Sequence, residues 1–362
     1  MSGSWLDVVG LDGVPEDLWE DRDRRFYKIW RERTGGMRYA YLAVLPASDS
    51  PTRGSLRRLE HEYELKDHVD AAWALRPLEL VRGRGATALV LEYQDGQPLE
   101  RMLARPMEVG AFLRIAVALA NGMVRLHARG FVHKDIKPAN ILVDPAGDRV
   151  WLMGFGVASR IPRERQSPEP PEFIAGTLSH MAPEQTGRMN RSVDSRSDLY
   201  SLGVTLYQAV TGTLPFMATD PLEWVHCHVA RSPVPPSTRV TDVSPQLSAI
   251  IMKLLAKTPE ERYQTAVGVE RDLRRCLADW DTRRAIEEFP LAEYDLPDRL
   301  LIPERLYGRE REIDALLAAF DKVITVGKPA MVLVSGHPGI GKSSVVNELH
   351  KVLVPPRGLF AS

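Results

Sequence analysis

The chain is predicted to adopt an α+β fold in two unequal lobes, a small sheet-rich one and a larger helical one. A linker and the truncated start of a separate α/β unit follow. Three observations carry this. Short apolar runs of strand length dominate up to residue 93, and apolar residues at three-to-four-residue steps dominate beyond residue 112. The run Ala330 to Ser335 then leads straight into a glycine-rich loop.

Composition bounds the classes. The 362 residues suffice for about two domains and a sizeable core. Apolar residues make up 44% and charged residues 26%, with a net charge of −1, which argues against a broad nucleic-acid or membrane footprint. The basic run Arg22-Asp23-Arg24-Arg25 is expected to be solvated surface. Two cysteines, Cys227 and Cys276, cannot build a disulfide framework, which fits a reducing compartment and a cytoplasmic location. No basic head followed by an apolar run opens the chain. The apolar run Leu199 to Val210 is too short to span a bilayer, so no membrane insertion is expected.

Residues 1–25 read as an extended lead-in and residues 26–285 as the two-lobed body. Phe26–Trp30 reads as a strand, Gly35-Gly36 as a turn, Tyr39–Leu45 as a second strand and Leu56–His68 as a charged helix. Ala88–Tyr93 is a nearly continuous apolar strand that stops at Asp95-Gly96. Phe112, Ile115, Ala116, Leu119, Met123 and Leu126 then share one helical face, and Gly130 closes that helix. Ile141–Val143 and Arg149–Met153 flank a turn and predict a hairpin; residues 157–180 predict a long loop. Helices follow from Asp194 to about Asp281, broken by the proline-rich Ser232–Ser237. Pro290, Pro297 and Pro303 predict a linker over residues 286–305, and a helix over Gly308–Asp321 opens the unit spanning residues 306–362.

The chemistry-bearing residues cluster where the two lobes join. His133-Lys134-Asp135-Ile136-Lys137-Pro138-Ala139-Asn140 has the form H-[RK]-D-x-K-x-x-N, and Gly154-Phe155-Gly156 follows where Asp-Phe-Gly would be expected. Ala182-Pro183-Glu184, with Gly176-Thr177 before it, Asp198 at the start of an apolar helix and Arg262 complete the set. Together these residues resemble the serine/threonine protein kinases. The resemblance implies Asp135 as acceptor of a substrate hydroxyl's proton, Lys137 beside the transferred phosphate and Asn140 as a magnesium ligand. It assigns Leu91, Glu92 and Gln94 of the hinge-like Leu91-Glu92-Tyr93-Gln94, and Leu142 with them, to ATP. It also implies that Asp198 ties down the catalytic-loop backbone and that Arg262 pairs with Glu184.

Three nucleotide-handling parts depart from that pattern. No G-x-G-x-x-G precedes residue 92, Ala43 stands at the expected phosphate-lysine position, and Gly154 replaces the metal-binding aspartate. A helix glutamate remains at Glu62 or Glu60, without its lysine; Lys28 is either a substitute one strand earlier or a solvated strand lysine. Losing lysine and aspartate together removes positive charge and metal where transfer needs both. Two readings stay open: weak phosphoryl transfer to Ser or Thr, or a pseudokinase module that controls neighbouring parts. Ser159, Ser167, Thr177 and Ser179 are ordinary loop hydroxyls that could accept phosphate. His226-Cys227-His228 has the look of a metal cluster, but residues two apart on a helix face different ways.

Gly336-His337-Pro338-Gly339-Ile340-Gly341-Lys342-Ser343 fits G-x-x-x-x-G-K-S. In that motif the backbone at Gly336, Gly339 and Gly341 cradles phosphates, Lys342 reaches the terminal ones and Ser343 binds magnesium. A third reading makes Lys342 the sole nucleotide site. The chain ends 19 residues beyond Ser343, too soon for the rest of an ATPase sheet. The order of the two motif sets resembles large bacterial trifunctional proteins: serine/threonine kinase, ATP-binding protein and sensor histidine kinase. It implies an N-terminal part whose partners are a protein substrate or its own ATPase and sensor modules.

Overall fold

The computed structural model describes residues 14–33, 37–83, 86–160, 176–187, 189, 191–296, 308–337, 340–342 and 345–346. The expected Gly35-Gly36 turn lies outside them. The small lobe is an antiparallel sheet of β1 (Glu16–Glu20), β2 (Arg24–Arg33), β3 (Met37–Pro46), β4 (Pro77–Gly83) and β5 (Ala86–Glu92), in the order β1-β2-β3-β5-β4. The expected lead-in thus contributes a strand, because Trp19 pairs with Phe26 and stacks on its ring at 4.9 Å. Strand β4 has no counterpart in the sequence reading. It is an edge strand, and its polar and half-exposed positions, Glu79 and Arg82 among them, blur the alternation. Helix α1 (Arg53–Glu64) starts at Thr52, whose hydroxyl accepts the Ser55 N–H at 3.1 Å.

Register decides which β3 residues face the cleft between the lobes. Leu42 pairs with Leu91 and Val44 with Leu89. All four join a buried cluster with Phe26, Leu59 of α1, Leu142 and Met153. Ala43 points the opposite way, into a second cluster with Ile29, Leu45, Ala88 and Val90. The residue that looks from β3 toward α1 is therefore Val44. The sequence reading of Ala43 was one residue out, since a one-residue shift exchanges the faces of a strand.

The large lobe is organised by α2 (Val109–Ala128) and α3 (Ser195–Thr211), packed with α4 (Pro221–Ala230), α5 (Pro236–Arg239), α6 (Pro245–Leu254) and α7 (Ala266–Arg283). Helix α2 is long and apolar enough to cross a membrane by composition, but most of it is buried in this core. A three-stranded sheet of β6 (Gln97–Pro98), β7 (Ile141–Val143) and β8 (Val150–Leu152) lies beside the cleft and contains the expected hairpin. The chain stays packed on this lobe beyond the end of α7 at Arg283. Phe289 is buried in the core, and the Asp295 carboxylate accepts the Thr265 N–H at 2.9 Å and the Thr265 hydroxyl at 2.6 Å, at the start of α7.

One buried ion pair fastens this lobe. Arg262 donates to both Glu184 oxygens at 2.7 and 2.8 Å, and to the carbonyls of Arg196, Ala256 and Lys257. Ser197 adds a third donor to Glu184 at 2.7 Å. Both side chains are essentially inaccessible, so each charge depends on the other.

Beyond the linker, α8 (Glu310–Val326) forms as expected and presents no buried residue. The strand expected over Ala330–Ser335 does not form. No partner strand lies beside it among the described residues, and Met331 and Leu333 are 95% and 85% exposed.

Two outcomes follow for stability. Glu184→Ala leaves Arg262 charged and buried and should cost about 3–5 kcal/mol, read as a lowered urea midpoint. In Gly203→Ala the new methyl would sit 2.7 Å from Leu254 Cβ, so chemical unfolding should show a loss of about 1–3 kcal/mol.

Candidate active site

The catalytic loop is held from below by Asp198, which sits fully buried in the first turn of α3. Its two oxygens accept the N–H groups of His133 and Lys134, each at 2.8 Å, and one also meets His127 Nε2 at 3.0 Å. This fixes Lys134 at φ +66°, a left-handed conformation that lysine rarely adopts. The His133 ring lies 4.7 Å from Phe155, and Phe155 meets Trp73 edge-on at 6.1 Å. The Phe-Gly pair is thus packed into the core.

Above this scaffold the expected catalytic residues converge. Lys137 Nζ lies 3.1 Å from Asp135 Oδ2 and donates to Thr177 Oγ1 at 2.7 Å, while the Thr177 N–H donates to Asp135 Oδ1 at 3.0 Å. The Asn140 amide donates to the Asp135 carboxylate at 2.9 Å and to its carbonyl at 2.8 Å. Burial opposes ionisation of Asp135, yet Lys137 and the bond from Thr177 hold its carboxyl below the ordinary value. Ser167 lies outside the described residues.

A side chain at position 154 would have to displace the ends of Asn140 and Arg24. Gly154 has φ +80°, and a Cβ there would lie 2.5 Å from Asn140 Oδ1 and 2.9 Å from Arg24 Nη1. Its N–H donates to Glu62 Oε1 at 2.9 Å. Glu62, and not Glu60, is therefore the α1 carboxylate of the cleft; Glu60 pairs with Arg82 outside it. Burial pushes the Glu62 carboxyl above its ordinary value, against the pull of Arg24 and the N–H groups of Gly154 and Phe155.

Arg24 is the residue that the sequence reading missed. The basic run was expected to be solvated, but the Arg24 side chain is only 15% exposed and turns into the cleft. It donates to Asp21 Oδ2 at 2.6 and 3.0 Å and to Asn140 Oδ1 at 2.5 Å. Asp21 also accepts the N–H groups of Asp23 and Arg24 at 2.8 Å, so a tight turn replaces a phosphate-embracing loop between β1 and β2. The available signal was parity: Arg24, Phe26 and Lys28 share one face of β2, and Phe26 is apolar.

The remaining nucleotide residues do not form an open pocket. Leu91 and Leu142 are buried in the same cluster as Trp19 and Phe26. Glu92 is engaged with Arg76, and Gln94 lines a different surface cleft of about 410 Å³ beside Trp73, Trp151 and Arg114. Lys28 Nζ sits 4.4 Å from the centre of the Tyr93 ring, away from the phosphate-lysine role. The cavity between Arg24, Glu62, Asp135 and Lys137 measures about 60 Å³. Ligand pockets typically hold about 300–1,000 Å³, so a nucleotide needs this cleft rearranged. Magnesium does not fit the residues present: Asn140 Oδ1 is committed to a guanidinium and position 154 has no carboxylate.

His228 of the histidine-cysteine cluster bonds its Nδ1 to the Tyr200 hydroxyl at 2.9 Å and packs among aromatic rings. In the C-terminal loop, Lys342 Nζ folds back onto the carbonyls of Gly336 and His337, each at 2.9 Å. Gly336 and Gly341 have φ +155° and +89°; Gly339 and Ser343 lie outside the described residues.

Comparison with known proteins agrees with this architecture. Residues 31–272 match the protein kinase domain family and residues 305–362 the AAA ATPase domain family. The serine/threonine-protein kinases PknB of Mycolicibacterium smegmatis and Mycobacterium tuberculosis are 37% and 38% identical to it over 189 residues, 52% of this chain and 30% of each relative. The hybrid signal transduction histidine kinase G of Dictyostelium discoideum is 34% identical over 204 residues, 51% of this chain but 6% of that protein. The chain thus spans less than a third of the length of these relatives. It belongs to the protein kinase family, and an AAA ATPase region follows its kinase domain.

Proposed function

We propose that the kinase domain is a pseudokinase: a folded regulatory module of a cytoplasmic bacterial signalling protein, acting on its ATPase region and a sensor histidine kinase beyond. The observation that carries this reading is position 154, where glycine offers no metal-binding carboxylate and the side-chain ends of Asn140 and Arg24 fill the space beside it. The scaffold around it is complete, with Asp198, His133, Phe155 and the Glu184–Arg262 pair in place. A module that keeps the buried scaffold and lacks the metal-binding aspartate and the strand lysine is suited to presenting a surface. Weak transfer is the second reading, favoured by the Asp135–Lys137–Thr177 constellation. There Asp135 would take the hydroxyl proton and Lys137 would steady the phosphate.

Incubation of the chain with γ-labelled ATP, magnesium or manganese and a basic acceptor protein should give no more label than the Asp135→Asn variant. Label above that control would establish phosphotransfer and overturn the pseudokinase reading. ATP retained by the chain in equilibrium dialysis should disappear in Lys342→Ala and persist in Asn140→Ala; the reverse pattern would place the nucleotide in the kinase cleft.

A further inference from the structure

The cleft already holds a cation where kinase chemistry would bring one from outside. Asp23, Glu62 from α1 and Asp135 from the catalytic loop line the cavity, and Asp21 of the β1–β2 turn holds Arg24. Of the three cations lining the cavity, Lys137 faces Asp135, and Arg58 lies 3.7 Å from Asp23. Arg24 is left for Asp21, Glu62 and the Asn140 carbonyl oxygen.

We propose that Arg24 is the resident cation of this cleft, standing in for both the divalent ion and the strand lysine, so that the domain locks closed without metal or nucleotide. This rests on the reading of the cleft as non-catalytic. Three features support it. The guanidinium reaches Asn140 Oδ1, the oxygen that would otherwise face a metal ion. Its Nη1 lies 2.9 Å from where a Cβ at position 154 would sit, so the guanidinium takes up space beside the missing carboxylate. The guanidinium carbon lies over the Phe26 ring, 5.1 Å from the ring centre, and Phe26 is itself stacked on Trp19. A planar fork with several fixed donors can bridge the β1–β2 turn and the catalytic loop simultaneously, which a lysine ammonium does less well. The strand position facing α1 is accordingly free to be the apolar Val44.

Thermal unfolding of the chain in EDTA, in magnesium chloride and in manganese chloride tests this. The wild-type midpoint should be the same in all three. Arg24→Ala should melt several degrees lower in EDTA, and either divalent ion should recover part of the loss, because the stranded carboxylates and amide then bind it. Arg24→Lys should fall between the two. An Arg24→Ala variant as stable as wild type in EDTA overturns the proposal. So does a loss that neither ion reverses, which would reduce Arg24 to packing, and so does a wild-type midpoint raised by the ions. Should Arg24→Ala fail to fold in every buffer, the double variant Arg24→Met/Glu62→Gln decides. Recovery of folded protein supports the charge role, and no recovery overturns it. Phosphotransfer by the wild type in the labelling assay would instead remove the underlying non-catalytic reading, so the two failures are distinguishable.

Discussion

The arrangement of the cleft depends on one buried carboxylate. Asp198 projects from the first turn of α3 and accepts two consecutive backbone N–H groups of the catalytic loop. The His133 donor is buried, and leaving it unmade would cost about 1–3 kcal/mol. The same contacts hold Lys134 in its left-handed conformation, which turns the chain so that Asp135 rises toward Thr177 while His133 descends onto Phe155. Asn140, five residues on, is placed by its own bonds back to Asp135. Helix α3 is buried along nearly its whole length, so this anchor is as rigid as the core itself.

Around that anchor, two carboxylates in one cleft are driven in opposite directions. Burial penalises ionisation of both. Lys137 outweighs it at Asp135, whose carboxyl is held low, whereas Arg24 does not outweigh it at Glu62, whose carboxyl is raised. The difference lies in how the cations are shared. Lys137 lies 3.1 Å from Asp135, while the guanidinium spends its best donors on Asp21 and Asn140. Glu62 is stabilised first by the charge of Arg24 and then by the backbone N–H groups of Gly154 and Phe155, and the bond from Gly154 ties α1 to that turn without a strand lysine.

What was legible in the sequence was what is local. The catalytic loop, the Ala-Pro-Glu segment, the α2 face and the hairpin of β7 and β8 each occupy one continuous stretch, and the structure places them together. What was not legible depends on pairing. The face of Ala43 follows from the β3–β5 register, which no single strand reveals, so the reading fell one residue short of Val44. Arg24 looked solvated because its neighbours are charged, and its destination is 116 residues away at Asn140. Strand β4 is an edge with charged positions, and β1 is recognisable only through the stacking of Trp19 on Phe26. The run at Ala330–Ser335 errs the other way: its composition suits a buried strand, but a strand needs a neighbour to bond.

The two phosphate-binding motifs place their cations against different kinds of partner. Lys342 rests on the neutral carbonyls of Gly336 and His337, on an exposed loop, and an incoming phosphate could replace those bonds with charge-assisted ones. Arg24 rests on a carboxylate and an amide inside a cleft already lined with acids. A polyphosphate entering there would have to displace Arg24 from Asp21 and then face Glu62 and Asp135 at short range. Like charges in a poorly solvated space repel strongly, so entry without an accompanying cation is disfavoured. On the proposed reading, nucleotide responsiveness then belongs to the C-terminal loop. The kinase fold contributes a charge-neutralised closed body to which that loop is attached.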